Sequence, residues 1–428
     1  MRHDWFGKIP LLILGTLSVG GNIQAKEATD CKAYLMTGKV KIDGELSDPA
    51  WETLPVHTGF VWANKGDTYA SYQSSFQVGY DKNAIYVSIR ADEPRLKAHL
   101  EVARKRETGE VNWKYQLFEV FLSPKTPQGL RHYQFALDIL GHKRVFQAQL
   151  EGKPYVHKQT KWKQVDIPWQ KGVKTGSDFF TMEFRFPFET LGGHPKAGDK
   201  WKLHIGRHGT WAPKGVHWSI ANWSAWNPLQ HWANLDYHAV MEFAPDSLYP
   251  EYARKLTSEI NKDFYEWKAT HGERLVELNA IVARTEGKPN ILRQLNRKLR
   301  RNRKPSGLGL AEKPSDSWHR GTWNGPNNMP KAFLLEWDKP VEFNCNVIGW
   351  LSTTCHATDY ALEHWDGKEW QVAYVETGHD LPRSAHVFPA VKATKARLTI
   401  TGFNSSSWYM AVNEFGLFLV DEVGAEKP

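Results

Sequence analysis

The chain has 428 residues, 41% hydrophobic and 24% charged, a balance that belongs to a folded, soluble protein of two or three domains. A mean hydropathy of −0.55 excludes a multi-span membrane protein. The formal net charge of +8 sits largely in segment 293–304 (RQLNRKLRRNRK), which holds seven Lys/Arg and no acid; it gives no support to a nucleic-acid-binding fold. Aromatics are abundant, with 20 Trp, 15 Tyr and 20 Phe, which points to aromatic-rich sheets and to rings that stack on a ligand.

Residues 1–25 read as a secretory signal. Arg2 and Lys8 form a basic start, Ile9 to Gly20 is an apolar run too short to span a bilayer, and Ala25 stands at the expected cut. The expected location is therefore secreted, periplasmic or at the cell surface. Residues 26–245 form the first predicted domain. Phe76, Val78 and Tyr80 alternate, Asp81-Lys82-Asn83 turns, and Ile85, Val87 and Ile89 alternate again, which is a hairpin. Tyr133, Phe135, Leu137 and Ile139 alternate too, as do Phe180, Met182, Phe184 and Phe186, and Trp201, Leu203 and Ile205. Strands recur with turns between them, so a two-sheet sandwich is predicted.

Residues 246–310 are predicted as a helical connector ending in the basic segment. Pro250 suits a first turn. Tyr252, Leu256, Ile260, Phe264 and Trp267 share one helical face. A second helical piece covers about 273–284, and Pro305, Ser306, Gly307 and Gly309 mark a joint. Residues 311–428 return to strands, with Asp366-Gly367 as a hairpin signal between Tyr360–His364 and Trp370–Tyr374. The fold class is thus all-β: two jelly-roll-type β-sandwiches joined by a helical, basic connector. Of three cysteines, Cys345 and Cys355 are expected to pair in an exported protein, leaving Cys31 over.

The first β-region resembles the family 9 carbohydrate-binding modules from about Lys39 to Phe243. The opening Val40-Lys41-Ile42-Asp43-Gly44-Glu45-Leu46-Ser47-Asp48-Pro49-Ala50-Trp51 carries the likeness. So do Ile85 to Glu93, Phe118-Glu119-Val120-Phe121-Leu122-Ser123-Pro124, Phe179 to Leu191, and Ile205-Gly206-Arg207. Where that family usually has an acidic or Asn pair, this chain has Gln116-Leu117. The last region resembles discoidin-like domains of the coagulation factor C type through Phe333 to Trp337, Tyr360 to Trp370, Ala396 to Ile400 and Asn413 to Leu417. The resemblance implies a carbohydrate ligand. It also implies that Trp113, six residues before Glu119, stands where a Trp of the family helps form the sugar site.

Glu119 interrupts an apolar strand, so its carboxylate is either paired or turned to a polar groove. An indole covers the apolar face of a pyranose while a carboxylate orders the hydroxyls at its rim. Arg207 continues a core stripe and is expected to pair with Glu119 or to meet the sugar. Trp211, Trp218, Trp223, Trp226 and Trp232 crowd a loop-rich stretch. Trp223 and Trp226, beside Asn222, are predicted as the second aromatic wall. His204 and His208 lie about 13 Å apart on one strand, too far to chelate one ion. Asp43, Glu45 and Asp48 are a possible Ca2+ set, with an ordinary solvated turn as the alternative. No nucleophile elbow, zinc-protease motif or phosphate loop is present. The expected function is exported, non-catalytic carbohydrate binding. The rivals are a glycan-active hydrolase or lyase and a haem-binding electron carrier of the related sandwich type.

Overall fold

A computed structural model of the chain describes residues 29–62, 69–70, 72–105, 107–113, 115–127, 129–150, 160–208, 224–228, 234–285, 287–294, 321–322, 331–350, 355–381, 383–405 and 411–421. The signal-like segment, Asn222, Trp223 and most of the basic segment lie outside these residues. No helix among them is long and apolar enough to cross a membrane.

The fold is all-β. In the first half, one sheet orders strands Trp162–Gln164, Lys143–Ala148, Tyr133–Asp138, Leu117–Ser123, Lys200–His208 and Ala239–Phe243. The other orders Ser74–Tyr80, Ala84–Asp92, Phe179–Pro187 and Gln170–Thr175. Strand Cys31–Leu35 belongs to both: Cys31 to Ala33 pair in parallel with Met241 to Phe243, then Tyr34 and Leu35 with Gly79 and Tyr80. The alternating residues of each strand fill one core, with Phe76, Val87, Val120, Phe135, Met182 and Ile205 all buried in it. The Asp81 turn forms as read, its Oδ1 accepting from the Asn83 and Ala84 nitrogens at 2.7 and 2.8 Å.

The opening motif has a structural purpose. The Glu183 carboxylate accepts from the Asp43 and Gly44 nitrogens (2.9 and 2.7 Å) and from Trp51 Nε1 (2.9 Å). Gly44 holds φ +92°, and a Cβ on Gly44 or Gly172 would strike the other segment's backbone. Only glycine allows so close a crossing.

In the second half a single six-stranded sheet orders Gly321–Thr322, Ala411–Phe418, Lys331–Trp350, Arg383–Ser405, Cys355–Trp365 and Trp370–Glu376. The strands of 20 and 23 residues are irregular at Glu336/Val341 and Phe343/Cys345. Such bulges bend a sheet. It curls over a core of Phe343, Trp350, Tyr360, Leu398 and Phe415.

Cys345 carries a buried free thiol, so the expected bridge to Cys355 is not made. The ladder explains this. Cys345 sits in the strand between Val387 and Phe418, whereas Cys355 pairs with Ser405 at the far end of the long strand.

The connector consists of helices Pro250–Ile260 and Lys262–Arg284. It packs rather than merely links. Leu278 and Val282 share a cluster with Tyr72 of the first half and Cys345, Val347, Leu381 and Phe418 of the second.

Candidate functional site: a braced carboxylate on the first sandwich

Strand Leu117–Ser123 alternates between two faces. Phe118, Val120 and Leu122 enter the core, so Leu117, Glu119 and Phe121 project from the other side of the sheet. Across the ladders Glu119 lies opposite Gly206 on one side and Ala136 on the other. Neither neighbour has a bulky side chain, and Glu119 itself is buried, 2% exposed. Gln134 Nε2 donates to Glu119 Oε1, and His208 Nε2 meets Oε2. The Trp113 ring lies edge-on to His208 at 5.8 Å and 6.3 Å from Phe146. Val111, Leu117 and Ala136 pack beside it. Arg144, opposite Ala136 in the same row, pairs with Glu110 at 2.5 Å. The result is a carboxylate braced by an amide and an imidazole, next to a partly buried indole. Such a set can order hydroxyls while the ring covers an apolar face.

Phe121 continues this face and is surrounded by His132, His204 and His238 at 5.8, 5.8 and 5.3 Å. Burial, then His238 and His132, holds His204 well below its ordinary value. It is a neutral ring packed among rings. His204 and His208 therefore have separate environments. No group of three or more His, Cys, Asp or Glu among the described residues is placed to hold a metal ion.

Trp113 and Glu119 are brought together, both against His208. The strand begins at Leu117, and Trp113 reaches the site from the preceding loop.

Arg207 is not in the site. Its cross-strand partner is Phe118, a core residue, so it points between the sheets. There it is fully buried. Its nitrogens donate to Glu93 (3.0 Å), Gln116 (3.0 Å) and the Asp92 carbonyl (2.9 Å). Its expected partner Glu119 lies on the opposite face.

Trp226 is a core residue as well, 2% exposed and set against Phe76 and His57. It forms no wall. The candidate calcium carboxylates are engaged one by one: Asp43 by Lys41 at 2.9 Å, Glu45 by Lys174 at 2.5 Å, and Asp48 by the Lys41 nitrogen at 2.8 Å. This is the solvated-turn arrangement.

Sequence reasoning missed Gln134, Arg144 and His208. Gln134 carried a signal, being the polar alternate between Tyr133 and Phe135. His208 was weighed only as a metal ligand.

No family model matches the chain, and no curated protein matches it. Solved structures do. A family 9 carbohydrate-binding module from Caldicellulosiruptor kristjanssonii, solved with glucose, is 16% identical; the match covers 50% of this chain and 95% of that one, with a TM-score of 0.35. The family 32 module of Streptococcus pneumoniae EndoD is 15% identical over 23% of this chain and 75% of its own, at a TM-score of 0.21. A family 32 module from Clostridium perfringens, solved with GalNAc-β-1,3-galactose, is 18% identical over 26% and 81%, at 0.22.

Proposed function

We propose that the first sandwich is a carbohydrate-binding domain of an exported protein, which holds its ligand without chemical turnover. One observation carries the reading: the buried Glu119 carboxylate is braced by Gln134 and His208, and the Trp113 ring lies against that same His208. The sequence resemblance implies the same ligand class. Export rests on the basic start and apolar run of residues 1–25.

A neutral glycan array identifies the ligand, and calorimetry on Trp113→Ala and Glu119→Gln tests the site. Loss of a stacked ring or of a charged hydrogen-bond partner is expected to cost about 1–3 kcal/mol, roughly tenfold to a hundredfold in affinity. Folded variants that bind as tightly as the parent would overturn the site. Release of reducing sugar that Glu119→Gln abolishes would make Glu119 a catalytic acid instead.

A further inference from the structure

A cleft of about 450 Å³ lies on the flank of the first sandwich, lined by Lys143, by Asp166 to Gln170 and by Arg185. It lies on the other face of the sheet from Glu119: Lys143 sits two strands over, in the row of the core residues Phe118 and Leu137, and Gln170 and Arg185 pair across the last two strands of the opposite sheet.

Its floor is rigid. Trp169 is buried and stacks on Phe184 at 5.8 Å with the planes 3° apart. The Lys143 ammonium donates to the Trp169 carbonyl at 2.7 Å and sits 4.9 Å from the centre of its ring. An ammonium has three donors, so this anchor leaves two. Lys171 approaches the same place: its Nζ lies 3.0 Å from where a Cβ on Gly141 would stand, two residues before Lys143. Burial first, and then the Lys171 charge, holds Lys143 below its ordinary value, against the pull of Asp166. Arg185 is steadied by a 3.1 Å bond from its Nε to the Tyr86 hydroxyl. Two cations, Lys143 and Arg185, thus line one cleft with one carboxylate, Asp166, and Lys171 stands beside Lys143 at its edge.

The geometry points to an anion subsite: this cleft takes the carboxylate or sulfate group of an acidic saccharide, bridged by Lys143 and Lys171 and flanked by the Arg185 guanidinium. The saccharide part rests on the function proposed above; the anion part rests on the cleft alone.

Calorimetry on the full chain at low salt tests it with three probes: inorganic sulfate, a glucuronate-containing disaccharide and a sulfated disaccharide. Saturable binding of sulfate and of at least one disaccharide is expected, weakened tenfold or more in K143Q/K171Q and by rising salt. Which disaccharide binds identifies the group. If the double variant does not fold, K171Q alone must weaken binding several-fold. W113A must leave sulfate binding intact. A parent that binds none of the probes, an unaffected lysine variant, or loss of sulfate binding in W113A would each overturn the inference. Retained sulfate binding in a chain that ignores every neutral glycan would count against the Glu119 reading and leave the anion subsite standing.

Discussion

Glu93 shows what one buried carboxylate controls. It is fully buried, with Arg207 at 3.0 Å, Gln116 Nε2 at 2.8 Å and Arg95 at 3.6 Å. Burial alone would raise its pKa, but the charges of Arg95, His99 and Arg207 outweigh that and lower it. Replacing it with Ala strands guanidinium groups in the interior, which costs about 3–5 kcal/mol. Urea unfolding of Glu93→Ala should show that loss, and a change below about 1 kcal/mol would mean that the arginines re-pair elsewhere. Trp226→Ala should cost a similar 3–5 kcal/mol through the cavity it leaves. The sequence made Arg207's core stripe legible, since it continues Trp201, Leu203 and Ile205. It did not show that Glu119 faces the other way, because the parity between two strands depends on their register. The 118-to-207 pairing fixes that register, and no residue of either strand alone announces it. Trp226 was illegible for a related reason: a short strand, Ser224–Ala225, pairs with Lys200–His208 and carries the next residue inward.

At the scale of elements, the long connector helix is tied to both halves of the chain. Asn261 breaks the helical run, donating to the Val56 and Thr257 carbonyls and accepting from the Thr58 nitrogen at 2.9 Å. That break defeats the single apolar face suggested by periodicity, leaving Tyr252 50% and Ile260 40% exposed. One side chain reaching a distant loop overrode a pattern that local spacing supported. Farther along, His271 and Arg274 hold Asp380 of the second half at 3.2 and 2.6 Å. The Asp380 hydrogen bond raises the His271 pKa, in spite of burial. For Asp380, burial is outweighed by His271 and Arg274, and its pKa falls to about 2. The raised histidine stabilises the junction below its ordinary 6.5 and loses that contribution as pH climbs through the folded value. The lowered aspartate contributes above its ordinary 3.8 and loses it as pH falls through about 2. The junction should therefore be tightest between those two ordinary values. Hydrogen exchange of residues 262–284 across pH, corrected for intrinsic rates, should show maximal protection there. Asp380→Asn should flatten the profile at a cost below about 1 kcal/mol, because the pair is partly solvated.

The whole molecule holds together across its connector. Seven Lys/Arg within 293–304 make that segment the expected tryptic cut. The cluster of Tyr72, Leu278, Val282, Val347 and Phe418 would then act without a covalent link. Gel filtration of the nicked protein should give one peak containing both fragments; separation without denaturant would show that the shared cluster is too weak to hold them. One further property follows from the strand shared by both sheets. Cys31 is paired with Met241 about 210 residues later, and parallel contacts at such separation form slowly. A ribosome adding about 5–20 residues per second keeps the Cys31–Ala33 part of that strand waiting on the order of 10–40 s for its partner, although Tyr34 and Leu35 meet Gly79 and Tyr80 much sooner. Meanwhile Cys31 and Ala33, both buried in the finished fold, have nowhere native to go. Biogenesis, rather than final stability, becomes the stage at which this sandwich is most exposed to failure, and a holding chaperone should raise its yield more than any added core contact.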